Sequence, residues 1–240
     1  FTSPTFSPNM RCKGSFLFVA AVTSKFCQTN ALSVSKKHEF IWDDDWDIDE
    51  IWDDLNCEDI FMESRPLHNE SAWMFLRGAY LGAVGPKLST IKISHGNSFT
   101  KNVMIDYVKD KGRGVIAQEH ILEGEHVWSA RDHTASFGDG FLFRKFLAAI
   151  SIDVICDVIQ WSYIETINGT FVLSVDLDDG SFMNSGGPSW GSEETNIGYD
   201  LARDSSRMGL FALKDIAVGE ELLCDYDHFD KDEAWDHFGL

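Results

Sequence analysis

The chain has 240 residues, with 39 Asp+Glu against 20 Lys+Arg and a formal net charge of -19. That length allows one ordinary domain with a tail, or two small ones, and 44% hydrophobic content is enough to form a core. The charge argues against a nucleic-acid binder, whose phosphates it would repel, and suits a basic partner such as a lysine-rich peptide; plain solvated surface is the alternative.

The charge is unevenly placed. Residues 1–40 hold five Lys/Arg and one Glu, which leaves 15 basic and 38 acidic residues for the rest. From Met10 a basic start (Arg11, Lys13) leads into the apolar run Phe16–Val22 and then small and polar residues. That order resembles a targeting peptide, and the run is too short to span a bilayer. The segment is read either as an unstructured tail, with a nuclear or cytoplasmic protein, or as an address to an organelle or the secretory route. Asn69-Glu70-Ser71 and Asn168-Gly169-Thr170 fit glycosylation acceptors, which matter only on the second route. Cys12, Cys27, Cys57, Cys156 and Cys224 are odd in number and widely spaced, so free or buried thiols are expected instead of a disulfide framework or a zinc site.

Four regions follow: a poorly ordered or targeting segment (1–40), an acidic-aromatic flank (41–102), a domain over 103–228 and a short end (229–240). In the flank, acids at 43–63 interleave with Trp42, Trp46, Ile51, Trp52 and Leu55. This is either a recognition segment for basic partners or a surface helix packing its tryptophans on the domain. Strands are expected at 103–108, 115–117, from 127, and at 162–167 and 170–175, with turns at 111–114 and 122–125. Asn168-Gly169 signals a hairpin, because such a turn requires positive φ. One amphipathic helix is expected at about 141–160, and the last strands at 208–212 and 221–224. Many short strands around one inserted helix give an α+β class built from small sheets. Asp176–Gly180 has the wrong glycine spacing for a calcium loop, and no metal is expected.

Three segments, in order, resemble the SET domain of protein lysine methyltransferases. They are Lys111-Gly112-Arg113-Gly114-Val115-Ile116-Ala117, then Asp178 to Asn184, then Gly209–Ile216 running into Gly219-Glu220-Glu221-Leu222-Leu223-Cys224-Asp225-Tyr226. The resemblance covers about residues 103–228. It implies a knot-like passage of the Asn184 and Tyr226 segments and a function as an S-adenosylmethionine-dependent protein-lysine N-methyltransferase acting on a basic, lysine-containing protein or peptide. It assigns Lys111, Gly112, Arg113, Gly114, Asn184 and Ser185 to the cofactor. Phe238 or Trp235 would cover the cofactor or simply pack the chain end. Tyr226 becomes the catalytic hydroxyl, and Tyr199 lines the lysine channel or is a plain strand residue. Glycines at 112 and 114 would let the backbone approach the cofactor. Asn184 would offer amide donors and an acceptor.

The sequence departs from the family where its Asn-His pair stands as Asn184-Ser185, with an extra stretch over 186–195. That departure leaves a second reading open: an inactive SET-derived module that grips basic peptides.

Overall fold

The computed structural model describes residues 47–62, 65–94, 96–167, 169–187, 194–206, 208–228 and 232–240. The expectations for residues 1–40, for Trp42 and Trp46, and for the stretch 188–193 lie outside the described residues. Among the described residues, no helix is long and apolar enough to cross a membrane.

The acidic flank forms two short helices, α1 (Ile48–Asp54) and α2 (Cys57–Met62). Asp47 starts α1 with a capping box, its carboxylate accepting from Glu50 N and the Glu50 carboxylate accepting from Asp47 N. Acids in these first turns also complement the helix dipole, so part of the acidity has a local structural use. The inward face of α1 is aliphatic: Ile48 and Ile51 are buried, while Trp52 is half-buried and stacks on Phe61 at 5.3 Å.

Helix α3 (Glu70–Val84) is capped by Asn69, whose side chain accepts from Ala72 N, and ends at Gly85 with φ 79°. It buries Trp73, Leu76, Arg77 and Tyr80. Each polar tip finds a distant partner. Trp73 donates to Asp179 at 2.9 Å, Arg77 to the Leu177 carbonyl at 2.8 Å and Tyr80 to the Ser136 carbonyl at 2.8 Å. These bonds stitch the flank to the central sheet, and one continuous hydrophobic cluster runs from Ile48 to Leu240.

The strands form four small sheets. β1 (Val103–Val108) and β2 (Gly112–Ala117) make an antiparallel hairpin. β3 (His126–Ser129) and β8 (Ile197–Gly198) flank β9 (Gly209–Ala212); β4 (Thr134–Phe137) and β5 (Tyr163–Ile167) flank β6 (Thr170–Asp176). β7 (Asn184–Ser185) and β10 (Leu223–Cys224) form a parallel pair of two residues each. The class is α+β, as the sequence predicts. Ile167 pairs with Thr170 across the predicted hairpin, and Gly169 takes φ 80° there; Asn168 itself lies outside the described residues.

Three expectations need correction. The turn placed at 111–114 lies earlier, and both glycines belong to β2. The single helix at 141–160 is two, α4 (Gly140–Leu147) and α5 (Ile152–Trp161). Ser151 at the N-cap, with Asp153 in the first turn, is the start signal that the apolar run concealed. Cys57 and Cys156 form a disulfide across 99 residues, joining α2 to α5; of the three cysteines at described positions, only Cys224 is free, and it is buried. Spacing cannot reveal such a bridge, because its partners meet only through the fold. Cys57→Ser is expected to cost about 2–3 kcal/mol through loss of the long-loop constraint. Urea unfolding of the oxidised protein against this variant checks it, and unchanged midpoints would contradict it.

Candidate functional site

The site begins at β2. Gly112 takes φ 81° with open space where a Cβ would point, so its role is conformational. Gly114 has a different role. A Cβ there would lie 2.6 Å from Val108 Cγ2, 2.7 Å from Glu221 Oε1 and 3.2 Å from Asn184 Nδ2. The second glycine therefore makes room for two side chains from distant segments.

Between the glycines, Arg113 turns its side chain into the protein. Its guanidinium meets both oxygens of Asp157 on α5, at 2.7 and 3.1 Å, and donates to the Pro66 carbonyl at 3.1 Å. It lies over the rings of Phe182 and Trp161, at 4.8 and 5.3 Å. Arg65 and His68 also reach Asp157, at 3.1 and 3.2 Å, and the Asp157 side chain is fully buried. Burial alone would raise its pKa, but hydrogen bonds from His68, Arg113 and Arg65 outweigh that and hold it well below the usual carboxylate range. Arg113 thus contributes to the site through its backbone; its side chain serves as an anchor.

The backbone carbonyl of Arg113 accepts from Asn184 Nδ2 at 2.9 Å, and the same nitrogen donates to Glu221 Oε1 at 2.8 Å. Lys111 Nζ holds the other oxygen of Glu221 at 2.9 Å. Lys111, Gly114 and Asn184 are thus brought together, and Glu221 joins them. Its backbone is fixed by a bridge to Ile116, while its carbonyl accepts from Asn196 Nδ2 at 2.7 Å.

Asn196 is 1% exposed. Its Oδ1 accepts from Leu223 N at 2.8 Å and its backbone N donates to Leu223 O at 3.0 Å. On the other side of β10, Gly186 N donates to Cys224 O at 2.7 Å. Residues 184–186 and 194–196 therefore grip β10 from both sides, which is the knot-like passage. Tyr226 emerges from it. Its hydroxyl donates to the Met183 carbonyl at 2.6 Å. Ser185 Oγ accepts from Gly187 N at 3.3 Å and from Tyr226 N at 3.5 Å, so Ser185 ties the Asn184 segment to the tyrosine backbone.

Against this geometry, the SET domain family matches residues 112–227. The match begins at the first glycine of β2 and ends one residue after Tyr226. Residues 112–227 are a SET domain. Similar solved structures include Chaetomium thermophilum Polycomb Repressive Complex 2 bound to GSK126, at 24% identity over 55% of this chain and 17% of that one, TM-score 0.37. The methyltransferase domain of the human histone-lysine N-methyltransferase SETMAR is similar at 20% identity over 55% of this chain and 46% of that one, TM-score 0.36. A Plasmodium falciparum protein described as a histone methyltransferase is similar at 19% identity over 54% of this chain and 96% of that one, TM-score 0.33. The matched region thus spans about a sixth of the Polycomb chain and under half of the SETMAR chain. No curated protein matches.

Within the SET domain, Tyr199 lines a cavity of about 200 Å³ between two sheets. Trp128, Arg131, Thr134, Tyr163, Glu165 and Met208 also line it. Tyr226 does not line this cavity. Directly behind the wall sits Asp176, accepting from Thr134 Oγ1 at 2.5 Å and from Tyr163 Oη at 3.4 Å. Burial pushes its pKa up to about 7; the Thr134 hydrogen bond opposes the shift, and the charges of Asp178 and Glu165 add to it.

Phe238 and Trp235 are both buried in the closing 3-10 helix. The Phe238 carbonyl lies where a Cβ on Gly140 would fall, so this end packs on the start of α4. Asp178 and Asp179 are committed to structure. Asp178 takes His133, Ser98 N and Gly180 N, and Asp179 takes Trp73 and Asn97.

Sequence reasoning gave no site role to Glu221, Asn196, Asp157 or Asp176. Asp157 carried a signal: it lies among buried Ile155, Cys156, Val158 and Ile159, and a carboxylate on an apolar face requires a cation.

Proposed function

We propose that this chain is an S-adenosylmethionine-dependent protein-lysine N-methyltransferase acting on a basic protein or peptide. The observation that carries the reading is the convergence of Lys111, Gly114 and Asn184 on one cluster, with Tyr226 held beside the same strand pair.

The residues suit the cofactor. Lys111 is a cation, Glu221 an anion and Asn184 a polar amide, gathered at a glycine whose missing Cβ makes room for the Glu221 and Asn184 side chains. That set complements the zwitterionic amino-acid end of S-adenosylmethionine. When bound, the cofactor supplies an electrophilic methyl group on a cationic sulfur.

The protein's own task is to position a neutral amine. Removing a proton from lysine at pH 7 costs about 4–5 kcal/mol, and an apolar passage lowers the amine pKa by desolvation. The Tyr199 cavity offers aromatic walls (Trp128, Tyr163) that suit an ammonium-bearing side chain, with Glu165 and Arg131 both in its lining and Asp176 behind. A Tyr226 hydroxyl that donates to Met183 acts toward other groups as an acceptor, which is what an amine N–H requires. Ser185, standing where the family has histidine, keeps the Tyr226 backbone tied to the Asn184 segment. The surplus negative charge steers a lysine-rich substrate inward.

Tyr226→Phe is expected to lower turnover on lysine-containing peptides by about tenfold to a hundredfold, with cofactor binding retained. Full activity in that variant would refute the assigned role. A titration of the wild type with S-adenosylmethionine comes first, since binding raises the melting temperature by mass action. No shift at millimolar cofactor would favour the inactive, peptide-gripping module.

A further inference from the structure

Glu221 has entered so far only as the anion of the cluster, yet it is held from several directions. Its backbone is pinned by Ile116 and Asn196, its two oxygens are held by Lys111 and Asn184, and Gly114 lacks a Cβ where the Glu221 carboxylate passes. The side chain is only 13% exposed.

The consequence falls on Asn184. Its Nδ2 carries two protons, and both are used, one on Arg113 O and one on Glu221 Oε1. The amide orientation is thereby fixed. Oδ1, which takes no hydrogen bond among the described residues, is the acceptor presented outward. An outward acceptor beside a carboxylate suits a donor that is positively charged, and an α-ammonium group is one.

We infer that Glu221 is a positioning residue for the amino-acid end of the cofactor. It locks the Asn184 amide with its oxygen outward and places negative charge beside the ammonium, while Lys111 balances that charge. This rests on the proposed cofactor. It goes further in naming the residue that sets the Asn184 acceptor and the α-ammonium as the group that acceptor serves.

The test is calorimetry on the full chain with two ligands, S-adenosylhomocysteine and its analogue lacking the α-amino group. Glu221→Ala should weaken binding of S-adenosylhomocysteine about tenfold, the worth of one charge-assisted contact. The desamino analogue should bind wild type and variant alike. Glu221→Gln, which keeps an acceptor for Asn184 Nδ2 but removes the negative charge, should recover only part of the affinity. Equal losses for both ligands would make Glu221 merely structural, and no loss for either would remove its role altogether; both overturn the inference. Should the alanine variant not fold, Glu221→Asp withdraws the carboxylate by one methylene and should give the same ligand-selective loss. If the wild type binds neither ligand, the cofactor reading itself fails, an outcome distinct from binding that ignores residue 221.

Discussion

Replacing Asp157 with alanine is expected to lower the unfolding free energy by about 3–5 kcal/mol, because it leaves buried cations without their counter-charge. The carboxylate is fully buried and serves Arg113, Arg65 and His68 together. Losing one partner of such a pair costs much more than the net worth of the pair, so the size of the effect reports uncompensated charge. A double variant, Arg113→Met with Asp157→Leu, removes the strongest cation along with the anion and should recover much of the loss. A double-mutant cycle in urea separates the two; additive losses would show that Arg113 and Asp157 do not act as a pair. The pH dependence has a defined sign. The folded-state pKa of Asp157 lies below its unfolded value, so its stabilisation is complete above the unfolded pKa near 4 and is lost as pH falls toward the folded value. The loss should also reach the Asn184 cluster, because the carbonyl of the same Arg113 accepts from Asn184.

This hub shows what a linear reading can and cannot reach. The β1–β2 and β5–β6 hairpins were legible, since turn chemistry and alternating residues are local and each strand pairs with its neighbour. The ordered motifs were legible too, and they led to Asn184 and Tyr226. Partners at long separation were not. Arg65 meets Asp157 across 92 residues, Arg113 meets it across 44, and Cys57 meets Cys156 across 99. Such meetings are set by how sheets stack, which no periodicity encodes. Gly114 shows the limit most clearly. Its glycine character is readable as a need for space, but the occupants of that space, Glu221 and Asn184, come from segments 107 and 70 residues away by sequence number. Arg113 is a complementary case: it stands between the two glycines, and the fold turns its side chain inward to a buried acid while its carbonyl faces Asn184.

Asp176→Asn is expected to make the protein more stable at pH 8, by on the order of 4 kcal/mol, and nearly neutral at pH 4. The folded-state value of about 7, against an ordinary value of 3.8, means that between those limits the folded protein keeps a proton the unfolded chain has released. Stability therefore falls as pH rises through that window, and it stays low above it. Asparagine mimics the protonated acid, still accepts from Thr134 and Tyr163, and does not titrate, so the difference between variant and wild type should grow from pH 4 to pH 7 and then level off. Urea unfolding at a series of pH values measures it directly, and a difference that is flat with pH would sink the assignment. The groups facing Asp176 are Thr134, Tyr163, Glu165 and Asp178, none of them a cation, so nothing in its surroundings favours the ionised form except two hydroxyls. A carboxylate kept at such cost, one hydrogen bond behind the wall of the Tyr199 cavity, has a use if a cation enters that cavity. An ammonium there would lower the pKa of Asp176 and be held more tightly as the proton leaves. The same asparagine variant should then bind a lysine-containing peptide more weakly than wild type above pH 7, with the gap closing toward pH 5. Stability and substrate affinity would move in opposite directions on one substitution, which is the pattern expected of a functional group that the fold alone does not require.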